Sequence, residues 1–195
     1  MPNKIKYGLK NVHWAKITSV STAGVPTYGT VKAWPGAVNL NMDPQGERSV
    51  FYADNIEYYV TTPDDGYEGD YESALVPDDF LKDILGYVED ANGVLVENAD
   101  AEPAEFALMF EFAGDVNAVR HVLYRVNAGR PAIAGATKED TLTPQTSTNS
   151  FRAMSVYNAS LNTNIVKAKA PYSASTDSPY ATWYDSVYIP TATTT

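Results

Sequence analysis

Residues 106–126 read FALMFEFAGDVNAVRHVLYRV. Phe106, Leu108, Phe110 and Phe112 alternate with Ala107, Met109, Glu111 and Ala113. That two-residue period is the mark of a strand with one face buried, and aromatic residues favour strands. The first set is expected to face a core and the second a mixed environment. Asp115 to Asn117 carries a turn signal, and Arg120 to Val126 then alternates again, so the stretch predicts an antiparallel pair joined by a short connection.

Working outward, the same period recurs. Towards the N-terminus, Tyr67, Gly69, Tyr71 and Ser73 alternate with Glu68, Asp70, Glu72 and Ala74, placing three acids on one strand face. Like charges so close require water or a positive partner beside them. Val38, Leu40 and Met42 alternate with Asn39 and Asn41. Strands are also expected at about 5–9 and 12–18, with a tight connection at Asn11, and weakly at 94–96. Residues 19–28 read as a loop rich in Ser, Thr, Gly and Pro. Towards the C-terminus, 129–150 reads as loop and 150–157 as a strand with Phe151, Ala153, Ser155 and Tyr157 on one face. Residues 158–182 are polar and interrupted by proline, and a last strand is expected at Trp183 to Ile189.

One helix is expected, from Asp78 to Leu85. Pro77-Asp78-Asp79 supplies an N-terminal capping signal, and acids there suit the helix dipole. Phe80, Ile84 and Leu85 form its core face, with Leu81 partly covered, and Gly86 is a plausible stop. Two turns cannot stand alone, so this helix must pack on the sheet.

The span 43–65 is bounded by Asp43-Pro44-Gln45-Gly46 and Pro63-Asp64-Asp65-Gly66, both turn signals. Between them lie Val50, Phe51, Tyr52, Ile56, Tyr58 and Tyr59, with a further turn at Asp54-Asn55. Two arrangements fit: ordinary hairpins with Phe51 and Tyr52 in the core, or a long excursion that docks on another surface.

The chain has 195 residues, 14 of them tyrosine, and reads as one mainly-β domain ending in a flexible tail at 190–195. Its net charge of −10 is unevenly spread: residues 1–40 hold five lysines and no acid, whereas 41–105 hold eighteen acids and two bases. This pattern fits either plain solubility or an acidic face opposite a basic edge. Cysteine is absent, which excludes disulfides and thiolate metal sites. No apolar run approaches the roughly 18 residues of a membrane helix, so the chain is expected to work without membrane insertion.

Motifs for chemistry are lacking. There is no nucleophile elbow, phosphate-binding glycine loop, zinc-binding HExxH or calcium-loop spacing, so no catalytic, cofactor-binding or metal residue is assigned. The two histidines, His13 and His121, read as partly buried strand residues. No dense basic patch exists for nucleic acid. Arg120, Arg125 and Arg130 are expected as ion-pair partners of the acidic segment.

Five strings in order, IKYGLKNVHWAKI, PGAVNLNMDPQGE, FYADNIEYY, GYEGDYESALVPDDFLKDILG and FALMFEFAGDVNAVRHVLYRV, resemble the major tail proteins, or tail-tube proteins, of long-tailed bacteriophages of Gram-positive hosts. The likeness spans about residues 4–126. It implies a tail-tube-like β-sandwich with a short flanking helix at Asp78–Leu85 and a long inter-ring loop at 43–65. It further implies hexameric rings stacked axially in the virion tail, assembled in the host cytoplasm. The implied partners are other copies, the tape measure protein, and the tail terminator and distal tail proteins. Double-stranded DNA would pass through without specific binding, beside Glu68, Asp70 and Glu72 if these face the lumen. The family implies no catalytic residue. Two other readings stand beside it: a tail terminator or decoration subunit, and a carbohydrate-binding β-sandwich at the host-facing tip using Trp14, Trp34 or Trp183.

Overall fold

The computed structural model describes residues 7–114, 118–137, 144–176 and 178–192. In chain order the strands before the helix are β1 (Leu9–Val20), β2 (Pro26–Tyr28), β3 (Lys32–Ala33), β4 (Ala37–Pro44), β5 (Ser49–Ala53), β6 (Ile56–Thr61) and β7 (Tyr67–Ser73). Helix α1 (Asp78–Asp83) follows, then β8 (Val88–Glu89), β9 (Leu95–Val96), β10 (Phe106–Phe112) and β11 (Arg120–Ala128). The chain continues with β12 (Ser147–Met154), β13 (Val156–Asn158), β14 (Thr163–Ile165) and β15 (Lys167–Ala170). The fold is mainly β.

The principal sheet has nine strands in the order β2-β1-β10-β11-β12-β7-β4, with β3 on β1 and β15 on β11. Along one edge of β11, Arg120–Leu123 pair with β15 and Arg125–Ala128 pair with β12. Both pairings are antiparallel, as are β1 with β10 and β10 with β11.

Two cores lie on opposite sides of this sheet. The first collects Trp14, Trp34, Tyr71, Phe106, Phe151 and the helix residue Phe80, with Ile84 and Leu85 buried beside them. Phe80 meets Trp14 and Phe106 edge-on, at ring separations of 5.3 and 5.2 Å. Such T-shaped contacts are favoured by the ring quadrupoles. The second core sits under the C-terminal segment: Ala107, Met109, Val122 and Tyr124 pack with Trp183 and Val187. β10 is therefore covered on both faces, and the side expected to be mixed is as dry as the other.

Several boundaries differ from expectation. Of the strand expected at 5–9 only Leu9 falls in β1, with Tyr7 and Gly8 before it and 5–6 outside the described residues; β1 then runs through Asn11 without a turn, and Asn11, at φ 51°, sits in a bulge between Lys10 and His13. Asn tolerates this left-handed geometry, so a residue that signals a turn can instead serve a bulge. Residues 26–28 are a strand within the predicted loop. Val38 is exposed because a bulge between Ala37 and Asn39 shifts the alternation of β4.

The helix is capped at Pro77 without a side-chain hydrogen bond, so Asp78 and Asp79 act as first-turn acids and not as caps, and Asp79 also pairs with Lys32 at 3.2 Å. It ends at Asp83, two residues early, and the chain turns at Gly86 with φ 73°. The strand predicted over 150–157 breaks at Ser155, which moves Val156 and Asn158 inward. No strand forms over 183–189; Trp183 and Val187 pack into the second core, and Trp183 Nε1 donates to the His121 carbonyl at 3.4 Å. Residues 158–170 contain β14 and β15 where a broken polar stretch was expected. The turn at 115–117, residues 1–6 and Thr193–Thr195 lie outside the described residues; Pro190 accepts a hydrogen bond from Asn158 Nδ2 at 3.0 Å.

Candidate assembly surface

Strands β4 and β7 pair along their length, from Ala37 opposite Ser73 to Pro44 opposite Tyr67. The chain leaves the sheet where that ladder ends. Gln45 N–H donates to the Gly66 carbonyl at 2.8 Å and Asp65 N–H to the Gln45 carbonyl at 3.2 Å, closing the base of an excursion. Gly66 adopts φ 88°, and a Cβ there would collide with the Ala153 carbonyl. Only glycine fits that close approach.

Above this base, β5 and β6 form a separate two-stranded ribbon. Asp54 and Asn55, at φ 52° and 63°, make its tip, and a pair of left-handed residues matches the twist of a two-residue hairpin. Arg48 pairs with Glu57 at 3.0 Å across the strands. Phe51 lies opposite Tyr59, and Val50 opposite Val60. Neighbouring strand residues point to opposite faces, so both faces of the ribbon carry apolar side chains. Phe51, Tyr52, Ile56 and Tyr59 are each 61% exposed and Tyr58 is 69% exposed; Val50 is half-buried. The reading that placed Phe51 and Tyr52 in the core is excluded.

Two further surfaces adjoin the ribbon. The outer edge of β4 pairs with no strand among the described residues; it lacks lysine, and its bulge at Ala37/Asn39 and its Asp43-Pro44 end leave Asn39–Met42 as the flat stretch open to a partner strand. Beside it, the sheet face opposite the helix is polar. Asn39, Asn41 and Asp43 on β4 lie alongside Glu72, Asp70 and Glu68 on β7, which lie alongside Thr148, Ser150 and Arg152 on β12. Four carboxylates thus share this face with one guanidinium. Glu68 and Asp70 are exposed; Glu72 is half-buried and accepts a hydrogen bond from Thr146 Oγ1 at 2.5 Å. The alternate residues Tyr71, Phe151 and Ala153 are buried on the helix side.

The sequence reading missed one cluster, around Glu111. Its side chain is buried, with the residue 5% exposed. It accepts from Asn11 Nδ2 at 2.6 Å, Arg120 Nε at 3.0 Å and Tyr184 Oη at 3.2 Å, and pairs with Lys10 Nζ at 3.3 Å. Burial pushes this carboxyl up, but the hydrogen bonds from Arg120, Asn11, Lys10 and Tyr184 outweigh it and hold it below the ordinary value. Burial and the nearby Glu111 charge push the Tyr184 phenol up. The Arg120 guanidinium also lies 4.0 Å from the Tyr180 ring centroid and donates to the Tyr180 carbonyl. Tyr184 stacks on His13 at 4.4 Å. The signal available was a glutamate in an apolar strand, opposite Arg120 in the next one.

The remaining candidates fall into place singly. Arg125 pairs with Glu105 and Arg130 with Glu97, both in the acidic segment, whereas Arg120 pairs with Glu111 outside it. His13 and His121 are half-buried in β1 and β11. Among the described residues, no three His, Asp or Glu side chains are grouped to hold a metal ion, and no helix is long and apolar enough to cross a membrane. All three tryptophans are buried: Trp14 and Trp34 lie in the first core, away from any exposed groove, and Trp183 lies in the second. In comparisons with known proteins, no family model and no curated protein matches the chain.

Proposed function

We propose that this chain is a structural subunit that assembles with copies of itself into the tail tube of a long-tailed bacteriophage. The observation that carries the reading is the β5–β6 ribbon: aromatic on both faces, exposed on both, and hinged to the sheet by only a few backbone hydrogen bonds. A lone two-stranded ribbon is marginal in water. Contiguous exposed apolar surface marks an interaction site. The ribbon is thus suited to dock on a neighbouring copy, as the resemblance implies for residues 43–65.

The open edge of β4 supports a second contact, in which sheets of adjacent subunits join around a ring. A ring contact and an axial contact together build a tube. The count of six per ring comes from the resemblance, as do the tail-tube-like sandwich topology, the tape measure, terminator and distal tail partners, and assembly in the host cytoplasm. The acidic face of β4, β7 and β12 suits a lumen, because like charge repels the phosphates of DNA in transit. The subunit acts without catalysis and without a cofactor.

A tail terminator would share the ring contact but not the axial one. Electron microscopy of concentrated purified protein, alone and with tail-assembly partners, tests the proposal. The expected result is annular particles of six subunits or hollow filaments. Single rings that never stack would favour the terminator, and a monomer inert under every condition would sink the reading altogether.

A further inference from the structure

The two cores are covered in different ways. The floor of the second is Ala15, Ala107, Met109 and Val122 on β1, β10 and β11, and its roof is the segment 178–192, which seats Trp183 and Val187 there. No residue of that segment joins a strand. Its main-chain hydrogen bonds run within it: Ala181 N–H to the Ser178 carbonyl at 3.0 Å, Trp183 to Tyr180 at 3.4 Å and Asp185 to Thr182 at 3.1 Å. Among the described residues, no main-chain bond ties it to the sheet. The attachments are made by side chains. Trp183 Nε1 donates to the His121 carbonyl, Asn158 Nδ2 to the Pro190 carbonyl and Tyr184 Oη to Glu111. Arg120 pairs with Glu111, donates to the Tyr180 carbonyl and lies 4.8 Å from the Tyr184 ring centroid. The seat is incompletely filled: a cleft of about 280 Å³ separates Tyr180, Trp183 and Tyr188 from Ala168 and Ala170 of β15, and side chains lining a void forgo contacts. On the other face, α1 and five aromatic rings form the first core, and β10 keeps its ladders to β1 and β11 whatever covers Met109.

We propose that residues 178–192 are a strap, latched by Arg120, Glu111 and Tyr184, that lifts from the sheet as one unit while the nine-stranded sheet and the first core stay folded. Lifting breaks no ladder, and segments with few backbone bonds and few buried contacts open below the energy of global unfolding. The open state uncovers the strip of Ala15, Ala107, Met109 and Val122 that the closed chain hides. The motion does not depend on assembly, so it stands apart from the tail-tube reading.

The chain has no cysteine, so single introduced thiols report the motion. Val122 and Val126 lie on β11 and are both fully buried, Val122 under the strap and Val126 in the first core. Val122→Cys and Val126→Cys are each treated with an aromatic disulfide reagent in the unassembled, folded chain. The Val122→Cys thiol is expected to react about 100-fold faster or more. Low urea should leave its rate unchanged, because lifting exposes little surface, while the Val126→Cys rate climbs with urea. Ile84→Ala weakens the first core, which is intact in the closed and the open strap alike. It should therefore speed only the Val126→Cys reaction, by about tenfold or more. Tyr184→Phe removes a hydrogen bond to a carboxylate and should speed the Val122→Cys reaction about tenfold. Met109→Cys and Leu108→Cys, neighbours on β10 that face the second and the first core, repeat the comparison and should give the same order. Equal rates with one urea dependence, an Ile84→Ala effect on both thiols, or no effect of Tyr184→Phe would overturn the strap.

Discussion

At Glu111 a single carboxylate receives hydrogen bonds from two strands and from the C-terminal segment, in a site almost closed to water. Breaking a buried ion pair by removing one partner costs about 3–5 kcal/mol, and the partial exposure of Arg120 argues for the lower end. Glu111→Leu should therefore lower the unfolding free energy by about 3 kcal/mol, measured by urea titration at neutral pH. Because the folded pKa is depressed, the stabilisation is complete above the unfolded carboxyl value, near 4.5, and is lost as pH falls through the lower folded value. Melting temperature should drop over that window in the wild type and more shallowly in Glu111→Gln; parallel acid limbs would contradict this. Ile84 offers a contrasting case. Its helical spacing marked it as apolar, and it is buried in the aromatic core; Ile84→Ala should cost about 2–5 kcal/mol by the same titration. Glu111 was harder to see, since alternation sets which face a residue occupies but not what covers that face.

Among the elements, the strongly alternating strands were the most legible. β7 and β10 appear where period two placed them, and α1 follows its apolar stripe. Alternation failed where bulges shifted it, at Asn11 and Val38, and where packing substituted for pairing, over residues 183–189. That last segment is aromatic enough to suggest a strand, yet it pairs with no strand and is held over the second core by Trp183 and Val187. The ribbon was legible as an apolar run between two turn signals, too apolar for a loop that meets only water, and its exposure follows the docking arrangement and not the core hairpin that stood beside it. Its base should be intolerant of change. Gly66→Ala would force a Cβ against the Ala153 carbonyl at a left-handed φ, so this variant should be destabilised or insoluble. An unchanged melt would show that the ribbon base is looser than drawn. The opposite holds at the ribbon surface, where side chains make few contacts within the chain and substitution should leave folding intact.

At the scale of the whole molecule, three features combine: a sheet with both faces closed over β10, an outer edge of β4 that pairs with no strand among the described residues, and an aromatic ribbon standing clear of the body. A chain built to stay monomeric would cover that edge and that ribbon. Charge is uneven as well, with four carboxylates and one guanidinium on the face of β4, β7 and β12 and six acids against one base in residues 43–65. The account's central claim is that the ribbon serves contact between copies and not the fold of one. The double variant Phe51→Ser plus Tyr52→Ser tests it most directly, with circular dichroism, thermal melting and electron microscopy on the same preparation. A hot-spot aromatic contributes about 2 kcal/mol or more, and the loss recurs at every subunit of a ring. The variant is predicted to fold and melt like the wild type while forming no long tubes under conditions where the wild type does. A variant that folds and still builds normal tubes, or one that fails to fold, would contradict the claim.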